Sequence, residues 1–192
     1  MNQQNESAKI RRLREKFQQV RDSRISRAGL ISPAQFLHEA VSGKLGPAYA
    51  NADVLIAGSG DYASLLGHSW TGIVALGQAS GIANFQEIEG GVGCEEFDLV
   101  CKQGRSELEA DIVAQLWRQL KTPLGIKVHA STCYDGAPTR FIVRWLDGTE
   151  CEGGCNLGDS GRSKVFKIVR VLWHLFKTTD LETTYSEPGT AR

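Results

Sequence analysis

No stretch of this chain reaches the roughly 18 uninterrupted apolar residues of a membrane-spanning helix. Residues 1–30 also lack the continuous apolar core of a secretory leader. These absences predict no membrane span and a cytoplasmic location with reduced thiols. The five cysteines fit that expectation, because an odd number at irregular spacing makes no compact disulfide framework. Proline is scarce, at five residues, and 41% of the chain is apolar, so the 192 residues can hold one folded core. No Gly-Lys-Ser/Thr loop is present. No cofactor is expected.

The net charge is zero, but it is unevenly distributed. Residues 1–28 carry eight Lys/Arg against three Asp/Glu, which leaves the remainder at −5. The acids are densest from Glu87 to Asp111. Such a split suits an anionic partner at one end, or pairing of the two ends within a dimer. Ile10, Leu13, Phe17 and Val20 recur at three and four, predicting an amphipathic helix of about four or five turns. Lys9, Arg11, Arg12, Arg14, Lys16, Arg21 and Arg24 occupy its other faces. A helix of this kind does not bury its stripe alone, and docking or homo-oligomerisation is the plainest reading. Nucleic-acid contact is the alternative. The narrow stripe has no Trp and argues less for a membrane surface.

Ser32-Pro33-Ala34-Gln35 signals a helix start, with a capping residue followed by Pro at the first helical position. That helix ends by Gly43 or Gly46-Pro47. Val54–Ala57 reads as a short strand running into Gly58-Ser59-Gly60-Asp61. A Gly-x-Gly turn after a strand is compatible with a phosphate cradle. The third glycine is missing, however, and Asp61 would repel a phosphate, so a structural turn is expected. The small residues between Gly67 and Gly81 predict either a close-packed core or a pocket wall, and their periodicity does not separate helix from strand. Phe97–Cys101 reads as a strand.

Ser106-Glu107-Leu108-Glu109 has the form of a capping box, opening a helix with Leu108, Ile112, Val113, Leu116, Trp117 and Leu120 on one face. Strands are expected at Ile126–Ser131, Phe141–Trp145 and Thr149–Glu152, with Asp147-Gly148 as a two-residue hairpin. A final helix is expected from about Arg162 to Lys177. It buries Val165, Ile168, Val169, Leu172, Leu175 and Phe176 and exposes Arg162, Lys164, Lys167, Arg170, His174 and Lys177. Thr178–Arg192 is polar and expected to be frayed.

The order helix, three strands, helix over residues 106–177 resembles a degenerate double-stranded-RNA-binding domain. Phe141, Asp147-Gly148, Gly158, Gly161, Ser163, Lys164 and Lys167 stand in matching order, with Val165 in place of a second adjacent lysine. The resemblance implies an antiparallel sheet, phosphate contacts from Ser163, Lys164 and Lys167, and a groove contact from Glu109. Arg140, in the first hairpin loop, would supply a further contact. Independently of the resemblance, the basic face of the last helix suits shape-based, salt-dependent binding of a polyanion. The plain alternative is a solvated face offset by Glu107–Asp111.

Two other chemistries are open. Cys94 follows the Gly90–Gly93 run, where a thiol can be exposed beside backbone amides; His129 is a candidate base and Asp98 or Glu95 an orienting group. Glu95 and Glu96 oppose activation of that thiol by raising its pKa. A metal site would draw on Cys151, Cys155, Cys133 and His129, although three residues between the first pair is wider than the usual zinc spacing. The expectation is therefore an α+β protein: a basic helix over residues 1–30, a single domain over 31–177 with the helix-strand unit at its C-terminal end, and a tail over 178–192. Its expected role is non-catalytic binding or regulation, with duplex RNA or another polyanion as ligand. The alternatives are a protein–protein adaptor or immunity-type protein, and a cysteine-dependent hydrolase or deamidase.

Overall fold

The structure, a computed structural model, describes residues 2–63, 68–90, 96–121, 138–156 and 164–190. Their centre is an antiparallel sheet built from β1 (Val54–Ala63), β2 (His68–Leu76), β3 (Gly81–Gly90), β4 (Leu99–Glu107), β5 (Pro138–Trp145), β6 (Glu150–Asn156) and β7 (Glu182–Glu187). The spatial order is β6-β5-β1-β2-β3-β4-β7. Five helices surround it: α1 (Asn2–Ala28), α2 (Pro33–Val41), α3 (Pro47–Ala50), α4 (Ala110–Leu120) and α5 (Lys164–Thr178). The expected mixed α+β class with an antiparallel sheet is what forms. None of the helices among the described residues is long and apolar enough to cross a membrane.

Side-chain alternation divides the sheet into two faces. One carries Val54, Ile56, Trp70, Val74, Leu76, Ala83, Phe85, Phe141, Val143 and Trp145, and is covered by α4 and α5. The other carries Leu55, Ala57, Ile73 and Ala75 beneath Phe36, Leu37 and Ala40 of α2. Further along that second face, Ile88, Leu99 and Cys101 pack with Ile25 and Ala28 at the end of α1. Each fully buried large apolar side chain contributes about 1.5–3 kcal/mol relative to exposure. The two-sided burial is therefore what holds a glycine-rich sheet together.

Local signals set several boundaries. Ser32 Oγ accepts from Gln35 N at 3.2 Å and Pro33 sits at the first helical position, so α2 starts where its cap dictates. At the β5–β6 turn, Gly148 adopts φ 85°, and the Thr149 amide donates to Asp147 Oδ1 at 2.8 Å. A side chain at position 148 would be strained there.

Other expectations are corrected. Gly58-Ser59-Gly60-Asp61 is not a turn, because β1 continues through it to Ala63. Gly58 lies opposite Phe141 and leaves room for Leu172 of α5, and Gly60 lies opposite Trp70 and leaves room for its ring, so neither makes room for an anion. Ser106 and Glu107 do not cap a helix; they close β4, where Ser106 Oγ bonds Thr179 Oγ1 at 2.9 Å. The helix begins later, at Ala110, with Glu109 as its N-cap and no side-chain cap bond.

The segment 106–177 is also not a separate sheet unit. β5 pairs with β1 from Val54 to Gly60, which places β5 and β6 within the larger sheet. The strand expected at Ile126–Ser131 falls outside the described residues. The expected frayed tail contains β7, which pairs with β4. The first helix, at 27 residues, exceeds its expected four or five turns.

The small-residue stretch does both: Ala75, Gly77, Ala79, Ser80 and Gly81 border an open cavity of about 800 Å³, whereas Gly72 is close-packed. A Cβ there would lie 2.9 Å from the Asn84 carbonyl oxygen and inside the ring of Phe85. We expect Gly72→Ala to destabilise the fold by about 1–3 kcal/mol, the usual range for overpacking. Urea denaturation followed by tryptophan fluorescence measures this directly; an unchanged midpoint would contradict the packing described.

Candidate polyanion-binding face

α5 forms because its apolar residues return every three or four positions. Val165, Ile168, Val169, Val171, Leu172, Leu175 and Phe176 are buried, anchored by a Phe176 ring stacked on Trp70 at 5.3 Å. The same periodicity puts Lys164, Lys167, Arg170, His174 and Lys177 on the exposed side. No acid occurs anywhere in α5. Arg170 lies over the Phe166 ring at 5.9 Å, and Lys177 over Trp173 and Phe176, each at 4.9 Å.

Among the described residues, none of the acids expected to offset this face pairs with Lys164, Lys167 or Arg170. Glu107 ends β4, Glu109 caps α4, and Asp111 Oδ1 accepts from the Ile112 amide at 2.9 Å. Lys164, Lys167 and Arg170 have no carboxylate partner among the described residues. Lys164 and Lys167 also occupy the first turn of α5, the positive end of the helix macrodipole, where a cation is disfavoured by about 0.3–1 kcal/mol. Among the described residues, positive charge therefore accumulates there without a carboxylate partner. Arg162 and Ser163 lie outside the described residues.

Arg140 does not join them. Its neighbours Thr139 and Phe141 are buried beneath α5, so Arg140 projects from the opposite face of the sheet. There it borders an open cavity of about 440 Å³ with Ser32, Pro33, Ser59 and Glu152. The expected grouping of Arg140 with the last helix is thus corrected by strand alternation.

The cysteine alternatives are placed only in part. Cys94, His129 and Cys133 lie outside the described residues. Asp98 accepts the Gly189 amide at 2.8 Å, which commits one carboxylate oxygen to tethering the C-terminal segment. Cys151 is half-buried against the α5-side core, and burial pushes its thiol pKa up. Cys155 is in the same strand, β6. Buried Cys101 is pushed up to about 11 by desolvation, an unreactive thiol at neutral pH. Among the described residues no three His, Cys, Asp or Glu side chains are grouped to hold a metal.

Sequence reasoning placed Arg24 on an outer helical face. It is fully buried, donating through Nη2 to the Phe97 carbonyl at 2.8 Å, with Nε 3.6 Å from Glu187. Arg27 grips the same carboxylate through two bonds of 2.9 and 3.1 Å, and the Tyr185 hydroxyl donates to it at 2.8 Å. No local signal could reveal this, because the partner lies 160 positions away. Part of the basic N-terminal helix is consequently neutralised within the fold.

No protein family, curated protein or solved structure matches the chain.

The bonds from Arg27 and Tyr185 hold the Glu187 carboxyl below its ordinary pKa. Its stabilising contribution is present above the unfolded carboxylate pKa of about 4.3. It is lost as pH falls through the lower folded value. Glu187→Gln should lower the melting temperature at neutral pH, and the gap from wild type should close in acid. Circular-dichroism melts across that range test the sign; a gap that widens in acid would contradict it.

Proposed function

We propose that this is a non-catalytic binding protein that holds a polyanion, with duplex RNA as the leading candidate, against the outer face of α5. The observation that supports it is the exposed row Lys164, Lys167 and Arg170, which lacks any carboxylate partner among the described residues. From Lys164 to Lys177 the helix covers about 20 Å at 1.5 Å per residue. A duplex presents one negative charge per ~1.7 Å of axis, so several phosphates fall within reach of this face. Lysine and arginine contacts of this kind recognise backbone and shape, with no base readout. Duplex RNA is put ahead of other polyanions only by the residue order that Asp147-Gly148, Lys164 and Lys167 share with double-stranded-RNA-binding domains, since β5 and β6 belong to the larger sheet.

Replacing Lys164 and Lys167 together by Gln should weaken binding about equally for all duplex sequences. It should also reduce the slope of log affinity against log salt by about 2, one unit per lost phosphate contact. Anisotropy titrations over a salt series, with duplex RNA, duplex DNA and heparin in parallel, measure both effects. Absence of binding at low salt, or an unchanged slope in the double variant, would refute the proposal.

A second reading is association through α1. The body holds this helix at its C-terminal end, through Arg24, Ile25, Arg27 and Ala28, while Ile10 and Leu13 are 46% and 58% exposed. An adaptor or homo-oligomer would cover these residues. Leu13→Asp should then reduce the mass measured by light scattering without changing the circular-dichroism spectrum; an unchanged mass would exclude self-association through this stripe.

A further inference from the structure

On the sheet face turned away from α5, the strands β5 and β6 carry four charged residues that fare differently. Arg144 and Glu150 are direct cross-strand partners and form a salt bridge. Further along, the register sets Arg140 opposite Gly154, and Glu152 opposite Ile142. Arg140 and Glu152 are therefore diagonal neighbours, about 7–8 Å apart at their backbones. They do not pair with each other, and neither has another partner among the described residues. Both border the open cavity of about 440 Å³, a volume within the range of small-molecule sites. Two features leave that space. Glycine at 154 puts no side chain across from Arg140, and α2 packs over β1, β2 and β5 with the first turn of the helix, Pro33 and Ala34, at the cavity wall.

We propose that this cavity binds a small free α-amino acid with an apolar side chain. One cation and one anion that face a common cavity without meeting each other select a ligand carrying both signs. The ligand carboxylate meets Arg140, whose planar guanidinium donates two parallel bonds to such a group. The start of α2 favours the same end of the ligand. The Ala34 amide precedes the helix's own hydrogen-bond ladder, and the positive end of the helix dipole lies there. The ligand ammonium meets Glu152. Pro33, Ala34 and Ile142 give the side chain an apolar surface. A simple acid leaves Glu152 unmet beside its own charge, and a simple amine does the same to Arg140. The site faces away from the basic row of α5, so neither depends on the other.

The test is isothermal titration of the full-length protein with L-leucine, N-acetyl-L-leucine and L-leucinamide. The last two keep the side chain and remove the charge of the amine or of the acid. Leucine should bind saturably, and each blocked probe about tenfold more weakly, the cost of one charged hydrogen-bonded contact. Arg140→Gln should weaken leucine by about the same factor and leave leucinamide unchanged. Glu152→Gln should weaken leucine likewise and leave N-acetylleucine unchanged. Both side chains are exposed, so circular dichroism should show the wild-type fold in each variant. Should either variant fail to fold, the three probes on the wild-type protein carry the test. No binding of leucine would overturn the proposal, as would a blocked probe that binds equally well. Unaltered leucine affinity in either variant would overturn it too.

Discussion

The architecture depends on a steric constraint: aromatic rings on the α5 side of the sheet need glycine opposite them. One register row runs Gly153, Phe141, Gly58, Gly72, Phe85, Gly104 across six strands. A Cβ on Gly153 would lie 2.6 Å from the tip of the Phe141 ring, and one on Gly58 would lie 3.0 Å from Leu172 of α5. Glycine weakens a strand by itself, having no side chain to pack and much entropy to lose. Here the rings supply the missing side-chain volume, and the trough they leave lets α5 settle onto the sheet. Phe176, held between Trp70 and Phe85, is the contact through which α5 is oriented.

That orientation decides the electrostatics. With its apolar side fixed in the trough, α5 must present Lys164, Lys167 and Arg170 outward. Charge is neutralised elsewhere by long-range pairs: Arg24 and Arg27 meet Glu187, and Lys102 meets Glu87 and Glu89. A chain with zero net charge therefore carries a local excess of one sign. The N-terminal helix, which looks the more basic in sequence, loses two of its arginines to the fold.

Local order alone was enough to determine the start of α2, the apolar faces of α4 and α5, and one hairpin. The Ser32-Pro33 start, the three-four stripes of α4 and α5, and the Asp147-Gly148 turn depend on neighbours within four residues, so they are legible in the sequence. The basic face of α5 was legible for the same reason. Only tertiary structure decided the rest. Gly58 and Gly60 resemble a turn until Phe141 and Trp70 are brought opposite them. Ser106-Glu107 resembles a capping box, but strand pairing with β3 claims it. β7 is polar and mostly exposed, and becomes a strand because β4 offers an open edge. Arg140 is separated from α5 by the parity of one strand, and Arg24 is buried by a glutamate 163 positions away. In each case the deciding partner is remote along the chain, so the residue's role is set by which strands pair and which face is covered.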